Sequence, residues 1–328
     1  MTHGVDPELV APLHAFLANY GGERRLDDIP AIRARASELT AIAKAKAPPV
    51  ADVRTEDRQV PGPDGAPAVG VRMYHPGGRQ AIRPALLWIH GGGYVLGSIE
   101  ADDVRMKQLA ASAECAVLSV EYRLAPEHPF PAALEDCYAA LRWLSAGAAD
   151  LGIDHRRIAI GGASAGAGLA AALALLARDR SEVAVAFQLL IYPMIDDRNI
   201  LPASETHPDT LQWTRENNLV GWRSYFGRDF GADGVPSYAA VSRAIDVSEL
   251  PPAFISVGGL DLFVNEDIAY AQRLIDAGIP TELHVYPGGY HGFDALAPNS
   301  SLCGRFLADR DSALRRALHP AHAPRVGE

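Results

Sequence analysis

The stretch "RIAIGGASAGAGLAAALALLAR", Arg157–Arg178, decides how this chain is read. Its two arginines enclose twenty uncharged residues, Ile158 to Ala177. That is about the length of an apolar helix that crosses a bilayer. Gly162 and Gly166 also make a Gly-x-x-x-Gly, which marks a packing face in membrane helices. Composition argues against a span. Leu and Ile supply only Ile158, Ile160, Leu169, Leu173, Leu175 and Leu176. Together they are worth about −3 kcal/mol of insertion free energy, which four glycines and a serine oppose. The stretch also divides internally. "RIAI" is a short apolar run that stops at Gly161-Gly162, and the residues from Ala165 onward are Ala- and Leu-rich, as suits a helix. The pattern predicts a strand, a tight turn and a helix.

The turn is Gly162-Ala163-Ser164-Ala165-Gly166, a Gly-x-Ser-x-Gly. Between a strand and a helix this is the pattern of a nucleophile elbow. A serine that must project from a sharp, strained turn needs small residues on both sides. The helix behind it aims its N-terminal N–H groups at the reaction centre. The plainer reading is a Gly-rich βα turn with an incidental serine, so the rest of the chain has to decide.

Bulk properties narrow the classes. At 328 residues the chain can bury a large core. With 48% hydrophobic and 21% charged residues it reads as an ordinary globular protein. A formal charge of −10 disfavours nucleic acid and anionic membranes as partners. "MTHGVDPELV" has no basic segment before an apolar core, so no signal peptide is read there. Cys115, Cys137 and Cys303 are odd in number and lack metal-like spacing; they are expected to be reduced, packed thiols of a cytoplasmic protein.

From about residue 70, strand-like and helix-like patterns alternate. Strands are expected at 71–75, 85–92, 116–122, 157–160, 187–192, 253–259 and 282–287. Several are continuous apolar runs, as in strands covered on both faces. In "PAALEDCYAALRWL" (131–144), Leu134, Tyr138, Leu141 and Leu144 share a face. In "NEDIAYAQRLIDAG" (265–278), Ile268, Ala271, Leu274 and Ile275 do, and the pattern stops at Gly278. Such alternation means α/β architecture with a mostly parallel sheet. Two regions stand outside it. Residues 1–50 read as two polar helices and 197–240 as an insertion rich in Trp, Tyr, Asn and Pro. The expected organisation is therefore a cap from 1–50 and 197–240 over a core formed by 51–196 and 241–328.

A serine hydroxyl needs a base and an anion-stabilising pocket. In this kind of sheet the chain order is Ser, then Asp or Glu, then His. After Ser164 only His207, His284, His291, His319 and His322 remain. His284 sits inside a strand pattern, His319 and His322 in a Pro-containing tail, and His207 in the insertion. His291 follows the last strand in the Gly-rich "YPGGYHGF", at the end of the sheet where ligands gather, and is the expected base. Its acid partner is expected at Asp261, after "AFISVGGL", with Asp196 and Asp197 as alternatives; an N-cap is the plain reading of Asp261. The anion pocket is expected at His90-Gly91-Gly92-Gly93, after the strand "PALLWI". Consecutive glycines let the backbone turn its amides into the site. The sequence alone does not choose among Gly91, Gly92 and Gly93; the third donor is expected at Ala165.

These motifs, in this order, resemble the hormone-sensitive-lipase-like carboxylesterases of the α/β-hydrolase fold. The resemblance runs from about residue 35 to about 315. It is carried by "HGGGYVLGS", "EYRLAPEHPFPAALED", "GGASAGAG", "IYPMIDD", "LDLFVNEDIAYAQRL" and "YPGGYHGF". It implies an eight-stranded sheet, Ser164 as nucleophile, His291 as base, Asp261 as its partner, and Gly92 and Gly93 as the first choice of donors beside Ala165. It also implies a cap formed by the N-terminal helices and the insertion after "LLIY"; cap residues such as Trp213 and Trp222 are expected to shape the acyl and alcohol pockets. The chain departs from the family at Ala163, where Asp is common, at Ala167, where Gly is common, at Leu262, where Pro usually follows the acid, and at Asn265, a usual Asp. The expected activity is hydrolysis of short- to medium-chain esters of small molecules, without cofactor or metal. An amidase or acyltransferase would use the same three residues. A non-catalytic small-molecule receptor is disfavoured because all three are present. Oligomeric state is not legible, and a homodimer stays open.

Overall fold

The computed structural model describes residues 4–22, 24–50, 52–78, 82–199, 211–227 and 234–320. Eight strands form one sheet: β1 (Val53–Val60), β2 (Val69–Pro76), β3 (Arg83–Ile89), β4 (Ala116–Glu121), β5 (Ile153–Ala163), β6 (Phe187–Ile191), β7 (Ala253–Gly258) and β8 (Thr281–Tyr286). Their spatial order is β1-β2-β4-β3-β5-β6-β7-β8. β2 is antiparallel to both β1 and β4, and every other pairing is parallel. Nine helices accompany the strands among the described residues: α1 (Pro7–Ala18), α2 (Ile29–Lys46), α3 (Ile99–Ala113), α4 (Ala132–Ala146), α5 (Ala165–Arg180), α6 (Arg215–Phe226), α7 (Val264–Asp276), α8 (Phe293–Leu296) and α9 (Ser301–Leu318).

The central strands are apolar throughout because both faces are covered. Along β3, Leu87 and Ile89 join a core with Leu134 and Leu141 of α4 and Leu169 and Leu173 of α5. Leu86 and Trp88 face the other way, toward Met106 and Leu109 of α3 and Phe306 and Leu314 of α9. Alternate side chains of one strand thus serve two cores. The Ala-rich stretch is explained by this packing. All thirteen residues from Ala165 to Ala177 are buried against protein. Among the described residues, no helix is long and apolar enough to cross a membrane.

Three elements escape an apolar-pattern reading. β1, "VRTEDRQV", is a charged edge strand, stabilised by an eight-pair antiparallel register with β2 and by the Arg72 fork on Asp57. Charges on an edge protect it from pairing with another chain. In α3, Glu100, Asp102, Asp103, Arg105 and Lys107 interrupt the stripe of Met106, Leu109, Ala110 and Ala113. α9 starts at its Ser300 cap, which accepts the Cys303 amide at 3.1 Å.

The expected face of α7 needs correction. Ala271 and Leu274 are buried, but Ile268 and Ile275 are 42% and 50% exposed. Val264, Asp267 and Tyr270 point inward instead. Glu266 of its first turn also faces inward, where it accepts the Ile195 and Asp196 amides.

The N-terminal segment and the insertion touch. Asn217 Nδ2 donates to Arg24 O at 2.7 Å, and Arg25 pairs with Glu216 at 2.7 Å. Arg33 of α2 donates to Val95 O and Ala125 O and forks onto Glu127.

A tight joint lies between α5 and β3. A β-carbon on Gly166 would lie 2.1 Å from Ile89 O and 2.3 Å from His90 O. Gly166→Ala therefore forces two backbone segments apart and is expected to destabilise by about 3 kcal/mol or more. A denaturant midpoint equal to that of the parent chain would contradict this packing.

Candidate active site

One residue makes the turn from β5 to α5. Ser164 has φ 57° and ψ −124°, a region that costs an L-residue on the order of 1–3 kcal/mol. Three bonds hold it there. Its amide donates to Ile191 O at 2.9 Å, and its carbonyl accepts the amides of Gly168 at 3.0 Å and Met194 at 3.1 Å. The N-terminus of α5, with its positive dipole end, lies directly behind the hydroxyl.

The loops after β7 and β8 bring the other two residues to it. His291 Nε2 is 2.9 Å from Ser164 Oγ, and His291 Nδ1 is 2.8 Å from Asp261 Oδ2. Asp261 Oδ1 accepts the Phe263 amide at 3.0 Å. These partners settle the tautomer: Nδ1–H donates to the carboxylate and the Nε2 lone pair faces the serine O–H. The imidazole stands between the rings of Phe263, 5.1 Å away at 89°, and Tyr192, 4.7 Å away at 64°.

The rival residues are occupied elsewhere. Asp196 pairs with Arg198 at 2.8 Å and Asp197 with Arg243 at 2.6 Å. His284 bonds Glu282 at 2.7 Å. His319 does not lie in a loose tail: it caps α9, with Nε2 3.0 Å from Ala113 O. His207 and His322 lie outside the described residues.

The glycine loop follows β3 directly. Gly92 and Gly93 have φ of 125° and 58°, which favours glycine. A β-carbon at Gly91 would lie 2.7 Å from Ala163 O, and one at Gly93 only 2.3 Å from the Trp213 ring. The loop therefore presses against the serine turn on one side and Trp213 on the other. Among the described residues, the amides of Gly91, Gly92, Gly93 and Ala165 donate to no backbone acceptor. His90 anchors the loop, its buried ring stacked on Tyr122 at 4.3 Å, while the Tyr122 hydroxyl donates to His90 O at 3.0 Å.

Trp213 reaches this site, with its ring centroid 6.3 Å from that of His291. Trp222 packs among the rings of Tyr94, Tyr225 and Phe226. Tyr192 and Phe263, which flank the imidazole, were not singled out by the sequence. Tyr192 merely ends an apolar strand and Phe263 sits in a helix approach, so neither carries a local signal. Among the described residues, no group of three or more His, Cys, Asp and Glu is arranged to hold a metal.

Two carboxyls lie beneath. Glu266 accepts Ile195 N at 2.9 Å, Asp196 N at 3.3 Å and Asn199 Nδ2 at 2.7 Å, fixing the chain after β6. Asp267 is fully buried and, among the described residues, neither of its oxygens has a hydrogen-bond partner. Burial first, then the charges of Glu266 and Asp261, push its carboxyl well above the ordinary value and favour the neutral acid.

With this geometry in view, the relatives are informative. Residues 86–295 match the model of a family described as having the alpha/beta hydrolase fold. The carboxylesterase NlhH of Mycobacterium tuberculosis is 36% identical over 96% of this chain and 97% of its own length. The esterase LipI of the same organism is 35% identical over 89% of this chain and 90% of its own. Among solved structures, a bacterial heroin esterase superposes with a TM-score of 0.89 at 40% identity, covering 97% of this chain and 99% of the other. The chain belongs to the α/β-hydrolase family, in its hormone-sensitive-lipase-like carboxylesterase branch.

The buried Asp267 has a pH signature. Its value is raised in the fold, so the folded chain keeps a proton that the unfolded chain releases above about pH 4. Stability then falls as pH rises toward the folded value, by up to about 1.4 kcal/mol per pH unit. Asp267→Asn removes this slope. In denaturant titrations the variant should gain on the parent between pH 5 and pH 7, whereas an unchanging difference would contradict a neutral buried acid.

Proposed function

We propose that the chain is a serine carboxylesterase acting on short- to medium-chain esters through an acyl-enzyme. The observation that carries this reading is the line from Asp261 Oδ2 through the imidazole to Ser164 Oγ, at 2.8 and 2.9 Å. Relatives named esterase and carboxylesterase that span nearly the whole chain support it.

In this reading Ser164 Oγ attacks the ester carbonyl as its proton passes to His291 Nε2. The new C–O bond pushes the carbonyl electrons onto oxygen. That oxyanion is received by the amides of Gly92, Gly93 and Ala165, with Gly91 as the remaining candidate in the loop. Each such donor is worth a factor of about 10²–10³. The intermediate collapses, the ester C–O bond breaks, and the alcohol leaves with the proton from His291. Asp261 steadies the imidazolium without taking its proton. Water, deprotonated by the same Nε2, then releases the acid and restores Ser164.

Residues 1–50 and 197–240 serve as the cap over a core of 51–196 and 241–328. The Asn217–Arg24 and Arg25–Glu216 contacts support treating the two cap segments as one cover. Trp213, pressed on the glycine loop, is the cap side chain that shapes the acyl or alcohol pocket, while Trp222 lies within the cluster of Tyr94, Tyr225 and Phe226. Three buried free cysteines, with burial raising the Cys115 thiol to about 12 and the Cys303 thiol to about 11, support a reducing, cytoplasmic setting.

Ser164→Ala should keep the fold and lower turnover of p-nitrophenyl butyrate by about 10³-fold or more. The parent chain should hydrolyse butyrate faster than palmitate, and faster than the matching p-nitroanilide. Hydrolysis by the variant at a near-parental rate would overturn the assignment.

A further inference from the structure

His291 has a neighbour that the three-residue line does not explain. Tyr192 follows β6 with φ 39°, a left-handed backbone for a bulky residue. Its amide donates to Ser256 O at 2.6 Å, and the turn swings its ring against the imidazole. The ring is fixed at its far end. The Tyr192 hydroxyl donates to Asp294 Oδ1 at 2.8 Å, and both residues are buried. Asp294 lies in α8, three residues past His291.

The bonds continue away from the site. Asp294 Oδ2 accepts from Arg105 Nη1 at 3.3 Å. Arg105 Nη2 donates to Asp102 Oδ1. Asp102 Oδ2 accepts the Trp88 indole N–H at 2.7 Å. Trp88 lies in β3, two residues before His90, where the glycine loop begins. A chain of side chains, buried except for the half-buried Arg105, thus runs from the histidine loop to the strand that carries the glycine loop. Burial works against the Asp102 carboxylate, but Arg105 and the Trp88 indole outweigh it and hold the carboxyl below its ordinary value. One guanidinium serves both carboxylates, so removing Arg105 would leave Asp102 and Asp294 buried without their cation.

We propose that Tyr192 and Asp294 are positioning residues for His291: the tyrosine ring, locked by its hydroxyl bond to Asp294, holds the imidazole at the angle that brings Nε2 to Ser164 Oγ. Arg105, Asp102 and Trp88 tie this clamp to β3, so that base and glycine loop keep their relative places. The inference rests on the reading of His291 as the base. It assigns no proton transfer to Tyr192 or Asp294. Their action is geometric, where small misplacements of a reacting group cost rate steeply.

Tyr192→Phe keeps the ring and removes only the bond to Asp294. It should lower kcat for p-nitrophenyl butyrate about tenfold, with KM within about twofold. The proton NMR resonance of the His291 Nδ1–H, held by Asp261, should shift or broaden in the variant. Asp294→Asn should act in the same direction, and the double variant should fall no further than the worse single one. An unchanged kcat with an unchanged Nδ1–H resonance in Tyr192→Phe would overturn the clamp. So would losses that multiply in the double variant, since the two residues would then act separately. Turnover by the parent chain tests the esterase reading by itself, and the ratio of variant to parent tests the clamp, so the two failures are distinguishable.

Discussion

The structure depends on a single-residue reversal. Between the last residue of β5 and the first of α5 there is only Ser164, in a backbone conformation that side chains avoid. The reversal fits because Gly162 and Gly166 carry no side chain. A β-carbon on Gly162 would lie 2.4 Å from Gly166 O, and one on Gly166 would meet Ile89 O. With both absent, α5 can lie directly against the sheet and its N-terminus can face the hydroxyl. β5 is flanked by β3 and β6 in the parallel part of the sheet, so the loops at their C-terminal ends open beside Ser164. Parallel pairing carries the other parts there as well: the glycine loop after β3, Asp261 after β7 and His291 after β8.

Electrostatics complete what the reversal begins. The site places one carboxylate, Asp261, out of water and gives it two donors, the Phe263 amide and the imidazole. Burial of a carboxylate is tolerable on those terms and costly without them. Glu266 and Asp267 lie on the other side of that balance. Burial outweighs the three donors to Glu266 and raises its carboxyl well above the ordinary value. Asp267, with no donor among the described residues, is raised as well, so both are favoured as neutral acids. The carboxylates on the other side of the histidine loop, Asp294 and Asp102, share Arg105. Charge is thus allotted so that the imidazole faces one hydrogen-bonded carboxylate, and the neighbouring acids are paired with Arg105 or favoured as neutral.

The legible parts of the chain were those under a local constraint. Ser164 with its glycines, the His90–Gly93 run, and the loop positions of Asp261 and His291 all follow from rules that act over a few residues. Central strands were visible because burial on both faces makes them uniformly apolar. β1 was not, because an edge strand is specified by its partner and carries charges. α3 was hidden by acidic and basic residues whose partners, such as Arg72 and Asp294, lie far away in the chain. The face of α7 was misread because the largest apolar residues, Ile268 and Ile275, are exposed, while Asp267 and Tyr270 turn in. Tyr192 is the clearest case of an illegible residue. In the sequence it ends an apolar run, and only the fold reveals that its backbone is reversed and its ring set against His291.

The central claim is that the imidazole at 291 makes the hydroxyl at 164 nucleophilic. The most direct test is the mass of the intact protein after brief exposure to a fluorophosphonate, followed by mapping of the adduct. The account predicts one adduct per chain, on the peptide containing Ser164, and a rate of labelling that collapses in His291→Asn. Absence of an adduct, an adduct on another residue, or undiminished labelling in His291→Asn would contradict it.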